Sequence, residues 1–519
     1  MTIATPGRIA HALSWMILTI AVGCNRSDSA DPQSAGTPAT APTASTAQTE
    51  QPFREMWDSQ YLQGAKVGYF HTAFYREENA GPPVVRVETV GQVTLVRAGQ
   101  QSLQTTHEKS WETETGQLLR FQTRVQMGPT PQVTIGRVVG QQLELTLQTP
   151  SNVTRQSIPW GPDVGGSAKV TMSLFAQPMQ PGESRRLRAF LPVFNSIGEI
   201  VLTARAAKES TSIGSIVREL LRIDVKNVFA GVPPLESVAW MDESGDVLKT
   251  EVPAMQMVAL RTTEQEAKTP VGGNLPDLMA STMVKVDPPI VEAHRSQMLR
   301  FRVSLTGGDA TAAFPNRASQ FVRRLDEHSA EIAVTAIRPG TQPTDVIDTA
   351  PTDSDRRPSS FVQSNDPVVA KLAADAAGAE TDPWTVATKL ESFVRGYLES
   401  VQFSEAFATA ADVARTRRGD CSEHAVLLCA LLRARGIPAR TVAGLVYVEG
   451  AGAFGYHMWC EGYFGDRWIG LDATLGRGGI SAAYLKVAEA SLEGVDSLKA
   501  VLPVAQLLGR LKIEVLERQ

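Results

Sequence analysis

Three residue types that together make an activated sulfur nucleophile stand in order along this chain: Cys421, His457 and Asp472. A thiolate attacks an electrophilic carbonyl, an imidazole shuttles the proton, and a carboxylate fixes the imidazole's tautomer. Their contexts are Gly419-Asp420-Cys421-Ser422-Glu423, Tyr456-His457-Met458-Trp459 and Gly470-Leu471-Asp472-Ala473-Thr474. Scattered over 519 residues, three such side chains mean little by themselves. Their significance depends on the elements that carry them.

The first element is a helix. Asp420-Cys421-Ser422-Glu423 reads as an N-terminal capping box, with Asp420 as cap and Glu423 reaching back. Residues 425–432 are apolar nearly all round, as in a helix buried within a core. Arg433 and Arg435 suit the negative end of the helix dipole, and Gly436 and Pro438 end the helix. Cys421 then sits at the first helical position, where free N–H groups and the positive dipole end favour a thiolate. Cys429 lies about 12 Å further along the helix, too far to bridge Cys421, and reads as a small core residue. His424 shares the helix but has no carboxylate to orient it, and reads as a helix-surface or core histidine.

The second element is a hairpin. Residues 440–448, 456–464 and 467–474 read as strands, the last two joined by Gly465-Asp466. Glycine at the first central position of a two-residue loop signals a hairpin of the II′ kind. That loop pairs Phe464 with Arg467, hence Trp459 with Asp472 and His457 with Thr474. His457 and Asp472 become diagonal neighbours on one face, about 7–8 Å apart at the backbone and within reach of a side-chain hydrogen bond. A four-residue loop preserves this register, whereas a three-residue loop would turn Asp472 to the other face.

Residues 412–475 resemble the core of the transglutaminase-like superfamily of papain-like thiol enzymes. The resemblance rests on Arg418-Gly419-Asp420-Cys421, the run from Ala430 through Arg440, His457-Met458-Trp459-Cys460-Glu461, and Trp468-Ile469-Gly470-Leu471-Asp472-Ala473-Thr474. It implies Cys421 as nucleophile, His457 as general base and Asp472 as orienter. Met458, Cys460 and Ala473 depart from the usual pattern without touching these three. The family's oxyanion donor lies upstream of the cysteine. Tyr397 is a candidate, but Trp384, Leu390, Phe393 and Tyr397 recur at helical spacing and read as core.

The chain opens on an export signal. Arg8 precedes the apolar run 12–22, too short and too abruptly ended for a spanning helix. Ala21-Val22-Gly23-Cys24 resembles a bacterial lipobox in which Cys24 becomes the lipid-bearing terminus, although Leu is usual where Ala21 stands. A plain signal peptide cleaved nearby is the other reading. Residues 25–52, rich in Ser, Thr, Ala and Pro, read as a disordered tether. Of four cysteines, Cys24 removed leaves Cys421, Cys429 and Cys460, an odd set that implies no disulfide framework. No metal spacing of Cys and His is present, and no cofactor is implied. A net charge of −5 with interspersed signs argues against nucleic acid.

Residues 53–262 read as a β-rich body, with alternation at 85–89 and 121–125. Trp111-Glu112-Thr113-Glu114-Thr115-Gly116 echoes Trp240-Met241-Asp242-Glu243-Ser244-Gly245, which fits two related β-meanders in tandem or chance recurrence of a common hairpin. His71 and His107 read as isolated strand-surface residues. A linker over 263–279, a small β-sandwich over 280–340, a second linker over 341–365 and the catalytic domain over 366–519 complete the division. Entry helices run over 367–376 and 383–400, and an alternating tail strand joins a sheet. The expected class is therefore α+β, a helix bearing Cys421 on an antiparallel sheet, preceded by antiparallel β domains. The expected protein is exported and anchored by lipid, facing the periplasm or the cell surface, and its substrate is a protein or peptide of the cell envelope. Through a Cys421 thioester it would act on peptide or glutamine-type amides, with hydrolysis favoured over cross-linking. A non-catalytic envelope assembly or binding protein with a vestigial triad is the alternative.

Overall fold

The computed structural model describes residues 50–518, apart from 78–81, 128–130, 150–152, 193, 231–232, 343–345, 400–407 and 494–501. The export segment, Cys24 and the tether up to residue 49 lie outside the described residues.

Fifteen strands between Arg54 and Thr262 form one sheet among the described residues. The first eight step outward from its middle, and the remaining seven return inward. The first strand therefore pairs with the last, Trp57 opposite Thr262 and Leu62 opposite Met257. Each of the two meanders supplies one half of a common sheet. Phe121 and Phe190, from opposite halves, have ring centroids 5.1 Å apart, so the sheet curls around a shared core. The echoing hairpins have alike tips. Thr113 N–H donates to Gln117 O and Asp242 N–H to Asp246 O, with Gly116 and Gly245 both at positive φ. One leads outward across the sheet and the other inward.

The small sandwich expected over 280–340 needs correction. Strands Met298–Leu305, Gln320–Arg324 and Ser329–Thr335 make a single sheet, completed by the tail strand Leu511–Arg518. Its apolar face packs on the body that follows, with Phe301 against Phe454 at 5.4 Å, so no second sheet of its own is required.

The body that carries Cys421, His457 and Asp472 is α+β. Its antiparallel sheet runs in the order Val284–Lys285, Ala453–Phe464, Ala439–Val448, Tyr484–Ala490, and Arg467–Leu471 also pairs with Ala453–Phe464. Helix Cys421–Ala434 is buried over residues 421–433 and lies among the sheet and helices Pro367–Ala377, Pro383–Tyr397 and Ala410–Thr416. Register matters here because a one-residue slip would turn His457 to the opposite face. Gly444 lies opposite His457, where an added Cβ would stand 2.2 Å from Leu485 O. Arg440 lies opposite Glu461 and binds its Oε2 through Nε and Nη2 at 3.0 and 2.9 Å. Lys486 joins Glu461, and Glu489 receives Lys486, Arg440 and Arg317. These buried charges compensate one another across three strands and fix their alignment. Replacing Glu461 by Leu leaves Arg440 and Lys486 short of a partner, and should cost about 3–5 kcal/mol. A denaturant midpoint unchanged by Glu461→Leu would contradict this account.

Candidate active site

Cys421 is the first residue of its helix, as the capping pattern predicts. Asp420 Oδ1 accepts from Ser422 N at 2.8 Å and Ser422 Oγ at 2.7 Å, while Glu423 Oε2 accepts from Asp420 N at 2.9 Å. The approach to the cap requires glycine. Gly419 has φ +145, and a Cβ there would meet Glu423 at 2.2 Å. Burial and the charge of Asp420 push the Glu423 carboxyl well above its usual range. Asp420 is fully buried, and its Oδ2 accepts from Arg97 Nη2 at 2.9 Å.

The hairpin register is as the turn predicts, Phe464 opposite Arg467 and Cys460 opposite Leu471. The strand stops at Leu471, short of the expected Thr474. The chain turns there because Glu391 Oε1 accepts the Asp472 N–H at 2.8 Å and both Glu391 oxygens accept from Gly479 N. Asp472 Oδ2 still reaches His457 Nε2 at 2.8 Å. That leaves His457 Nδ1 for the sulfur, and the Cys421 and His457 side chains are hydrogen-bonded. The three side chains form one continuous contact chain, and all three residues are buried.

The electrostatics are those of an ion pair held dry. Burial opposes the positive charge of His457, but Asp472 and Cys421 outweigh it and raise the ring to about 10. The ring therefore carries its proton at neutral pH, the form that pairs with a thiolate. Burial likewise opposes the charge of Asp472, yet His457, the Tyr484 hydroxyl and the Thr474 N–H hold it at about 2. Tyr484 donates to Asp472 Oδ2 at 2.7 Å, and Thr474 N donates to Oδ1 at 2.9 Å. Glu391, buried beside Asp472, is raised to about 7 chiefly by burial.

Other residues singled out by sequence fall outside this chain of contacts. Tyr397 gives its hydroxyl to Ala414 O at 2.7 Å and stacks on Phe393 at 5.1 Å, in the role of a packing aromatic. His424 Nδ1 binds Asp420 O at 2.7 Å, and burial lowers its pKa. Cys429 and Cys460 are buried, and the Cys460 thiol donates to Glu461 O at 3.7 Å. His71 stacks on Trp57 at 4.0 Å on the sheet surface, and His107 is exposed. The sequence pattern does not single out Tyr484, Glu391 or Arg97, which bind Asp472 or Asp420. Glu391 left a signal, an acid within the apolar stripe Val386, Ala387, Leu390, Val394.

Residues 370–473 match the family model of the transglutaminase-like superfamily. This part of the chain is thus a transglutaminase-like domain. No curated protein matches the chain. Solved structures similar to it include a proposed cysteine protease from Cytophaga hutchinsonii (18% identity, 43% of this chain and 90% of that one, TM-score 0.27). A DUF1089 family protein from Pseudomonas aeruginosa shares 10% identity over 41% of this chain and 98% of its own, at TM-score 0.19. A proposed protease from Parabacteroides distasonis shares 9% over 66% and 64%, at TM-score 0.18. TM-scores this low leave activity to be read from the chain's own geometry.

The Asp472 charge also has a consequence for stability. Its folded value lies below the ~3.9 of an unfolded aspartate, so it stabilises the fold fully above about pH 4. That contribution, on the order of 2 kcal/mol, is lost as pH falls toward 2. Asp472→Asn should remove this acid-side slope from unfolding free energies measured by urea titration across that range. An unaltered slope would assign it to another group.

Proposed function

We propose that the chain is a thiol-dependent acyl-transfer enzyme acting on peptide or glutamine-type amides, with water as the favoured acceptor. The observation that supports it most is the buried, hydrogen-bonded sequence Cys421–His457–Asp472 at a helix N-terminus. The Cys421 thiolate adds to the amide carbonyl carbon. The C–N bond breaks as His457 gives its proton to the departing amine or ammonia, leaving a thioester. Water then attacks the thioester carbon with His457 as base, releasing the acid and restoring the thiolate. Asp472 holds the ring and answers its charge throughout. An amine in place of water would make the same site a cross-linker.

The preference for water follows from the proposed setting, an exported protein held by lipid at Cys24 on an envelope membrane, with envelope proteins or peptides as substrates. The second reading, an envelope assembly or binding protein with a vestigial triad, is favoured by one observation. Cys421 and His457 are fully buried in this structure, so a substrate enters only after rearrangement.

Labelling distinguishes the two. Iodoacetamide at neutral pH should mark Cys421 ahead of Cys429 and Cys460, and His457→Ala should slow that labelling at least about tenfold. Labelling of Cys421 that is unselective, or indifferent to His457→Ala, removes the basis for an enzyme. An acyl adduct on Cys421 trapped from an envelope extract and weighed would identify the substrate class. For the anchor, the mature protein should carry lipid on Cys24 and resist a salt wash; release by salt without lipid refutes it.

A further inference from the structure

The cap of the nucleophile helix is completed by a residue 323 positions upstream. Strand Val84–Arg97 alternates strictly, and its inward positions Val85, Val87, Thr89, Gly91, Val93 and Leu95 end in Arg97 on the same buried face. The turn that follows is tight. Arg97 pairs with Gln100, while Ala98 and Gly99 both have positive φ, at 49 and 75. The parity of the strand and the turn together aim a guanidinium into the catalytic body. There it meets Asp420 at 2.9 Å, with side-chain exposures of 4% and 0%.

A second tie joins the same hairpin tip to the strand of the base. Asp277 accepts from Ala98 N at 3.2 Å and Gly99 N at 2.7 Å, while capping helix Leu278–Thr282 through Met279 N at 2.9 Å and Ala280 N at 3.2 Å. That helix leads directly into Val284–Lys285, which pairs with Phe454 and Ala453 at the edge of the His457 strand. One hairpin of the N-terminal sheet is thus fastened to the elements carrying both the thiol and its base.

We propose that Arg97 is a positioning residue of the thiol site: by binding Asp420 it sets the cap and the local charge of the Cys421 helix, making the N-terminal sheet part of the catalytic apparatus. The inference rests on the enzyme reading above. The charged and titratable groups around Cys421 come from three sides. Asp420, Glu423 and His424 belong to its own helix, His457 and Asp472 to the sheet, and Arg97 to the N-terminal body. Without Arg97, the Asp420 carboxylate would stand uncompensated next to the position where the thiolate must form, and would oppose it. Arg97 touches no reacting atom; it acts through Asp420.

The test is the pH dependence of iodoacetamide alkylation at Cys421 in the full chain, with thermal melts alongside. Arg97→Met should move the acid limb of the profile upward by about one pH unit, roughly a tenfold rate loss on that limb. Arg97→Lys, which keeps the charge without the planar fork, should give a smaller shift in the same direction, and carries the comparison if Arg97→Met does not fold. Arg97→Met combined with Asp420→Asn should return the limb most of the way, because Asn caps as well and leaves no unpaired charge. Arg186→Met, at an exposed pair with Glu199 on the same sheet, should leave the profile unmoved. Folded Arg97 variants with a wild-type profile overturn the proposal, as does a double variant no better than Arg97→Met. Either result leaves the enzyme reading standing if His457→Ala still slows labelling. A wild-type rate indifferent to His457→Ala overturns both.

Discussion

A carboxylate buried away from water must be answered by donors, and the answer to Asp472 organises the transglutaminase-like body. His457, Tyr484 and Thr474 supply donors to its two oxygens. Each comes from a different place: the long central strand, the opposite edge strand and the loop after Leu471. None can move independently while the charge stays dry, because losing one donor to a buried ion costs more than an ordinary hydrogen bond contributes. The loop is held in turn by Glu391 from the entry helix. The positive charge on His457 is a consequence of this arrangement, since burial opposes it and Asp472, with Cys421, outweighs burial.

The thiol end follows a parallel logic with opposite sign. Asp420 must be near the helix start, because a cap oxygen is what the free N–H groups require. The same carboxylate is a poor neighbour for a thiolate unless its charge is offset. The Arg97 guanidinium offsets it, and Glu423 limits the problem by being pushed toward its neutral form. Helix capping, which is local, and thiol activation, which is electrostatic, are reconciled by a cation from outside the domain.

How much of this could be read along the chain depended on how local its cause was. The capping box spans four residues and the Gly465-Asp466 turn two, so the position of Cys421 and the register of Phe464 with Arg467 were both legible. The end of the strand at Leu471 was not, because it depends on Glu391, 81 residues away. Tyr484 joins Asp472 from a strand whose sequence reads as ordinary core. Arg97 lay at the end of a strictly alternating strand, where parity announces an inward side chain but cannot name what it meets. The meanders of the N-terminal half were legible as strands, but their union was not, since the Trp57–Thr262 pairing at the middle of the sheet joins the first strand to the last, from residue 57 to residue 262.

The division into successive bodies joined by linkers also changes meaning once pairing is known. The stretch expected to link the N-terminal body to the next contains Asp277, which grips the Arg97 turn, and it leads into Val284–Lys285, which extends the catalytic sheet. The tail strand Leu511–Arg518 crosses back to pair with Met298–Leu305. Edges that would otherwise be open are therefore covered by chain from before and after the transglutaminase-like core, the arrangement that keeps exposed strands from pairing elsewhere. A transglutaminase-like core cut at 370 and 473 would lose the guanidinium at its cap, two of its edge strands and Tyr484. The match marks where the chemistry is written, whereas the charges and strands that make that chemistry stable extend across most of the described chain.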